Sequence, residues 1–394
     1  MTNPLPARIL VVDDTRANIR LLSTLLDRQG YTVQFALDGT KALASIEKKA
    51  PDLILLDVEM PGMSGYEVCE RIKAKPETQD IPVIFISARS EVVDKVRGFE
   101  VGGVDYVTKP FQVEEVLARV DTHLKLRNLQ RALQETNDQL QQDMAYAYQI
   151  QRGLLADPEP AWPELDVVCY NAPALELGGD FYAYHIFPTS EAAPYNRYAV
   201  AIGDVSGKGV AAALLMATAL SQFDASLDQP FTADERFYHL DKALLPYTQP
   251  SGQNCALVYI ELSLWSRPEA HAEVGRLRSI NAGCIPPFLY HAGQVKWLDV
   301  VGLPLGMDLG LEFGYNDVEV KLDAGDFIIL TSDGCVEAFN ADFEMFGFER
   351  LEQAIASGPN HSAKAMLDHL LESVTTFTGE TELSDDLTIV VIKV

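Results

Sequence analysis

"PDLILLDVEMPGMSG" (residues 51–65) starts as an apolar strand and stops on a carboxylate, Asp57. The unbroken run "LILL" suits a strand buried on both faces, as in a parallel sheet. Towards the N-terminus, "ILVV" (9–12) is a second such run, ending on the adjacent acids Asp13 and Asp14. Thr15 is placed to cap a following helix, with Ile19, Leu22 and Leu26 on one face. Towards the C-terminus, "IPVIFISA" (81–88) carries Ser87 near its end, and "GVDYVTKPF" (103–111) ends in Thr108, Lys109 and Pro110. Helical patterns lie between these strands, at 39–47, 65–73 and 92–101. Strands and helices alternating at this length predict a doubly wound α/β domain with a parallel sheet. Such a sheet gathers its polar strand ends at one edge, where open α/β sheets bind ligands. Three carboxylates, a hydroxyl and an amine meeting there suit a hard divalent cation and a phosphoryl group.

The motifs "VDD", "LLDVEMPGMSG" and "YVTKP", in that order, resemble the receiver domain of two-component response regulators, over residues 1–122. The resemblance implies a flavodoxin-like fold in which Asp57 accepts the phosphoryl group. It implies Mg²⁺ held by Asp13, Asp14, Asp57 and the Glu59 carbonyl. It places Ser87 and Lys109 on the phosphoryl oxygens, makes Tyr106 the aromatic that swings inward, and supplies a sensor histidine kinase or phosphotransfer protein as donor.

The 394 residues are enough for two or three domains, and 47% hydrophobic against 22% charged residues is a globular composition. The formal net charge of −26 is unevenly placed. Residues 1–122 carry −4 and 123–155 carry +1, whereas 156–394 hold 12 basic against 35 acidic residues. A region this acidic argues against nucleic acid as partner, because binding it requires a basic footprint. The five cysteines form no CxxC pair and no secretory signal precedes them, so free thiols and a cytoplasmic location are expected. No apolar run reaches the length expected of a membrane span.

From residue 111 to about 155 the pattern is helical, with no Gly or Pro in residues 111–152. Leu126, Leu133, Leu140, Ala147 and Leu154 recur every seven residues, with Leu129, Thr136, Asp143 and Ile150 between them. This is a heptad weakened in its second half. We read 123–155 as a coiled-coil linker that pairs two copies into a homodimer. The alternative is one amphipathic helix lying on its own domain.

Residues 156–394 alternate like β-strands, with apolar segments at 197–205, 254–264, 275–283, 326–334 and 387–394. Helical stretches are expected at 209–223, 231–246, 348–357 and 362–375. Together they predict an α+β domain, a β-sandwich flanked by helices. Four acidic sites sit at strand ends: Asp180 in "GGDFY", Asp204 in "GDVSGKG", Asp333 in "SDG" and Asp385-Asp386 in "SDDLT". Any one alone is an ordinary turn. Four together suggest a carboxylate cage for two hard cations, because unpaired buried carboxylates are too costly.

"GGDFY", "GDVSGKGVAAALLM", "NAGCIPPFLY", "GLPLGM", "LDAGDFIILTSDGCVEAFN" and "SDDLTIVVI" occur in order. They resemble the metal-dependent type 2C serine/threonine phosphatases, in the sporulation and sigma-factor-regulation branch. "AYAYQIQRGLLAD" (145–157) resembles that branch's regulatory switch helix. The resemblance implies two Mn²⁺ or Mg²⁺ ions bridged by Asp180 and Asp204, with the Val205 carbonyl nearby. Asp333 and Asp385 complete the second ion, with Asp386 the uncertain neighbour. It implies hydrolysis of a phosphorylated anti-anti-sigma antagonist. The sequence departs from the family pattern at Ala183, Cys284 and Lys208, none of which is an implied ligand. The competing reading is a metal-free adaptor that binds a sigma factor or anti-sigma partner. Against it stands the retention of all four acids.

Overall fold

A computed structural model describes residues 6–88, 92–188, 195–265 and 273–394. The chain divides into two compact units, Met1–Leu140 and Gln141–Val394.

The first unit runs β1 (Arg8–Val12), α1 (Arg16–Arg28), β2 (Thr32–Ala36), α2 (Gly39–Lys48), β3 (Leu53–Asp57), α3 (Gly65–Lys73), β4 (Val83–Ser87), α4 (Val92–Glu100) and β5 (Asp105–Thr108). The five strands form one parallel sheet in the order β2-β1-β3-β4-β5. Alternate residues of the central strands enter two cores. Leu10, Ile54, Leu56 and Phe85 pack on one face and Ile9, Val11, Leu55 and Ile84 on the other. Burying each such side chain stabilises the fold by about 1.5–3 kcal/mol. Ile19, Leu22 and Leu26 are the buried stripe of α1. Strand β2 is absent from the sequence reading. "TVQFA" lies at the sheet edge, where Phe35 is exposed and only Ala36 is fully buried, so it lacks the apolar run of its neighbours. Thr15 does not cap α1. Its hydroxyl donates to Asp14 Oδ1 (3.1 Å), while its N–H donates to Asp13 Oδ1 (2.8 Å). The buried Asp13 carboxylate needs donors more than the exposed helix end does.

Helix α5 (Val113–Leu154) is one continuous element of 42 residues, and the division between the units falls inside it. Val116, Val120 and Leu124 bury against the first unit's sheet, and Arg127 donates to the backbone carbonyls of Pro51 and Asp52. Beyond Arg127 the heptad leucines 129, 133 and 140 are 67%, 72% and 55% exposed. These three leucines are not buried against the first unit.

The second unit continues with β6 (Asp166–Ala172), β7 (Phe181–Ile186), β8 (Tyr195–Val205), α6 (Val210–Leu227), α7 (Ala233–Ser251), β9 (Cys255–Trp265), β10 (Glu273–Ala282), β11 (Phe288–His291), β12 (Gln294–Trp297), α8 (Gly310–Phe313), β13 (Asp317–Asp323), β14 (Phe327–Thr331), a 3₁₀ turn (Asp333–Cys335), α9 (Gly347–Ser357), α10 (Ala363–Thr378) and β15 (Leu387–Lys393). Two antiparallel sheets form, β13-β10-β9-β8-β7 and β12-β11-β14-β15-β6. Their inner faces, including Val200, Ile202, Val258, Ile328, Val390 and Ile392, make a sandwich core. The outer face of the first sheet packs on α6 and α7 through Ala201, Tyr259, Met216 and Phe237. The outer face of the second packs on α9 and α10 through Ile389, Val391, Leu351 and Leu370. The period of two along β15 divides these residues between layers.

Two expectations need correction. Helix α7 runs through Pro246 to Ser251, five residues past the expected end. By length and composition, Val210–Leu227 could cross a membrane, contrary to the sequence reading. Half of it is buried, and Ala212, Met216, Leu220 and Phe223 sit in the core beneath the first sheet.

Candidate functional sites

In the first unit, the carboxyl ends of β1, β3, β4 and β5 converge. Asp13 and Asp57 are 1% and 4% exposed, and with the exposed Asp14 they offer carboxylate oxygens all within 4.8 Å of one another. Lys109 Nζ lies 2.8 Å from Asp57 Oδ2 and 2.9 Å from Asp13 Oδ2. Burial raises the Asp57 pKa above the ordinary value, and the Lys109 ammonium only partly offsets it. Burial pulls Lys109 down, but its bonds to Asp57 and Asp13 outweigh this and hold it above the usual lysine value. Asn18, unnoticed in the sequence, donates through Nδ2 to both Asp13 oxygens at 3.0 Å. Its position one turn into α1 carries it back over the strand end. Glu59 donates its N–H to Asp57 Oδ1 (3.4 Å). Gly65 is required here, since a Cβ would stand 2.2 Å from the Asp57 carbonyl oxygen. Ser87 is buried at the end of β4. The Tyr106 ring is buried beside Phe85, its centroid 6.4 Å away. Three carboxylates with one ammonium form a donor set that fits a hard divalent cation beside an anionic group.

In the second unit, Asp180 is 3% exposed and follows the Gly178-Gly179 turn into β7. Thr388 Oγ1 donates to its Oδ2 (2.7 Å), and Asn171 Nδ2 donates to Thr388 Oγ1 (2.9 Å). Asp204, near the end of β8, stands close enough to Asp180 for the two carboxyls to interact. Burial, then the neighbouring Asp204 charge, holds the Asp180 pKa well above the carboxylate range. Burial, then repulsion from Asp333 and Asp385, lifts Asp204 to about 7. Burial, then Glu337 and Asp385, lifts Asp333 to about 6. These acids are looser than the first set: among the described residues, no three of them converge within 4.8 Å. All-oxygen donors that depress one another's ionisation nevertheless fit hard divalent cations, which remove that repulsion. Gly179 lies against the Val205 carbonyl oxygen, 2.5 Å from where a Cβ would stand.

Asp385 and Asp386 differ sharply. Asp386 is buried, and its carboxylate accepts from the N–H groups of Ala174 (2.7 Å), Gly179 (2.6 Å) and Asp180 (3.4 Å). Its oxygens are occupied in holding the turn that carries Asp180. Asp385 is a third exposed, and its Oδ2 lies 3.1 Å from Lys208 Nζ. The Cys284 N–H donates to Asn281 Oδ1 (2.8 Å), and burial pushes the Cys284 thiol pKa up, away from a nucleophilic state.

The end of α5 reaches this same turn. Gln151 is buried, its Nε2 donates to the Gly178 carbonyl (2.6 Å), and its Oε1 accepts from the Gly178 N–H (3.3 Å). Beside it a cavity of about 450 Å³, lined by Tyr148, Gln151, Arg152, Tyr182 and Lys364, extends to Asp180. Neither Gln151 nor the pinning role of Asp386 is legible from residue type, because each depends on a pairing far apart in the chain.

The family model for Stage II sporulation protein E matches residues 194–394, just over half of the chain, and that for the response regulator receiver domain matches residues 9–121. The DNA-binding dual master transcriptional regulator RpaA of Synechocystis is 46% identical over 118 residues, 30% of this chain and 49% of that protein. The response regulator PleD of Caulobacter vibrioides is 48% identical over 114 residues, 29% of this chain and 25% of that one. The chain therefore spans half or less of these curated relatives. The SiaA-PP2C domain of Pseudomonas aeruginosa matches 66% of this chain and 98% of its own with a TM-score of 0.53 at 20% identity, a likeness of fold.

Proposed function

The chain belongs to the Stage II sporulation protein E family and carries a response-regulator receiver domain ahead of that region, and from this premise we propose that it is a phosphorylation-controlled protein serine/threonine phosphatase. In the receiver, Asp57 accepts the phosphoryl group from a sensor histidine kinase or phosphotransfer protein. Asp13, Asp14, Asp57 and the Glu59 carbonyl would hold Mg²⁺. Ser87 and Lys109 face the phosphoryl oxygens, and Tyr106 responds to their occupancy. In the phosphatase unit, Asp180, Asp204, Asp333 and Asp385, with the Val205 carbonyl, would hold two Mn²⁺ or Mg²⁺ ions. When bound, such ions neutralise phosphate oxygens and acidify a water for in-line attack. Asp386 holds the Gly178–Asp180 turn in place, and Asn171 and Thr388 orient the Asp180 carboxylate. The substrate is a phosphorylated anti-anti-sigma antagonist. Two copies pair through the exposed α5 leucines, and the protein works in the cytoplasm without membrane or nucleic acid as partner.

The observation that carries the reading is the second acidic set. Four carboxylates from four separated segments adjoin one another, and burial, with repulsion from the neighbouring acids second, pushes Asp333 to about 6 and Asp204 to about 7. Among the described residues, only Lys208 forms an ion pair with any of them. The experiment is hydrolysis of p-nitrophenyl phosphate by the full chain with and without Mn²⁺, beside an Asp385→Asn variant and an Asp386→Asn variant. Mn²⁺-dependent turnover lost in the first is expected. Equal activity in all three proteins would refute the assignment.

A further inference from the structure

The loop between β8 and α6 reads Ser206-Gly207-Lys208-Gly209. One end of it is pinned. The Ser206 N–H donates to the Asn254 carbonyl (3.0 Å), the Asn254 N–H donates to Ser206 Oγ (2.8 Å), and Gln253 Nε2 donates to the Ser206 carbonyl (2.8 Å). Gly207 and Gly209 take φ of 92° and 77°, so the backbone turns on both sides of Lys208. The result places the ammonium on the far segment: Lys208 Nζ donates to the Ser384 carbonyl and lies 3.1 Å from Asp385 Oδ2. Asp385 is close enough to Asp204 and Asp333 to repel both, and Glu337 adds its charge beside Asp333. The lysine is about a third exposed (36%), so it meets solvent as well as Asp385.

An acidic set that handles a phosphoester faces opposed demands. Its carboxylates must draw cations in, yet they repel a phosphoryl dianion. One fixed positive charge inside the set shifts that balance, weakening attraction for divalent cations and easing entry of the anion. We propose that Lys208 is the specificity-setting countercharge of the phosphatase site, favouring phosphoryl anions at the expense of divalent-cation affinity. This rests on the phosphatase reading above. The lysine acts through its charge and its place on Asp385, and the 206–209 loop is the device that holds it there.

A charge acting this way moves cation and anion binding in opposite directions, whereas a lysine that only ties two loops together weakens both. The test uses the full chain in an Asp13→Asn background, which silences the receiver's cation site. Mn²⁺ binding is titrated by electron paramagnetic resonance, and KM and kcat are measured for a phosphoserine peptide. Lys208→Met keeps the apolar stem and removes the charge; Lys208→Arg keeps the charge. In Lys208→Met, Mn²⁺ should bind roughly three- to tenfold tighter while KM rises by a similar factor, kcat changing less, and both shifts should shrink at high salt. Lys208→Arg should stay near wild type in both. Unchanged Mn²⁺ affinity, or Mn²⁺ and peptide binding weakened together, would overturn the proposal. A parent protein that hydrolyses nothing and binds no Mn²⁺ at these acids would overturn the phosphatase reading and the inference with it.

Discussion

Replacing Gln151 by alanine should disconnect the end of α5 from the phosphatase site. The side chain makes two bonds with Gly178, at 2.6 and 3.3 Å, each with net worth of about 1 kcal/mol. Truncation also leaves the Gly178 N–H and carbonyl without those partners, a further penalty of about 1–3 kcal/mol each where water is excluded. Gly178 itself lines the adjoining cavity of about 450 Å³, which is roomy enough to supply substitute water. The lower end therefore applies, about 2 kcal/mol, which is a roughly 30-fold shift of the docking equilibrium towards the undocked helix end. Gly178 lies two residues before Asp180, so undocking loosens the acid that the proposed chemistry depends on. Mn²⁺-dependent turnover of p-nitrophenyl phosphate should fall about ten- to thirtyfold. The thermal midpoint should move by only a few degrees, since the loss is local. Gln151→Glu should be at least as damaging, because it puts a buried carboxylate beside Asp180 and Asp386. Hydrogen exchange across 145–154 reports the undocking directly. Full turnover in Gln151→Ala together with increased exchange there would refute the link between helix and site.

Asp333→Asn should lower Mn²⁺-dependent turnover on the order of 100-fold while leaving the fold intact, since it removes an anionic oxygen and keeps the volume; turnover and circular dichroism check this. Asp204 and Asp333 have folded-state pKa values raised to about 7 and about 6 from 3.8. The folded state thus holds more protons than the unfolded one between pH 4 and 7, and stability falls as pH rises through that window. Protein treated with EDTA should therefore melt at a higher temperature at pH 5.5 than at pH 7.5, and added Mn²⁺ should narrow the difference in a thermal melt. Leu133→Asp with Leu140→Asp should give a monomer by sedimentation and a phosphatase rate indifferent to Asp57 modification, because carboxylates are not tolerated in a paired apolar seam.

The architecture was legible where local pattern carries it. Apolar runs at 9–12 and 53–56 ending on acids mark the parallel sheet edge, and alternation along 387–394 marks a sandwich strand. Edge strands were less legible: β2 and β13 bury few residues, so they show neither a continuous run nor a strong hydrophobic set. Within the sites, residue type and position pointed to the acids but not to what orients them. Asn18, Gln151 and Thr388 are ordinary polar residues until folding sets them against Asp13, Gly178 and Asp180. In sequence, only the family resemblance favours Asp385 as the ligand and leaves Asp386 the uncertain neighbour. They part in the fold because one meets three backbone N–H groups and the other meets Lys208.

In the proposed mechanism, chemistry at Asp57 controls hydrolysis at the second acidic set through α5. The most direct test is the rate of phosphate release from a phosphoserine protein substrate by the full chain with Mn²⁺, measured with and without acetyl phosphate, for the native sequence and for Asp57→Ala. Acetyl phosphate should change the native rate several-fold and leave the Asp57→Ala rate unmoved. Equal rates with and without acetyl phosphate in the native protein, at confirmed modification of Asp57, would contradict this mechanism.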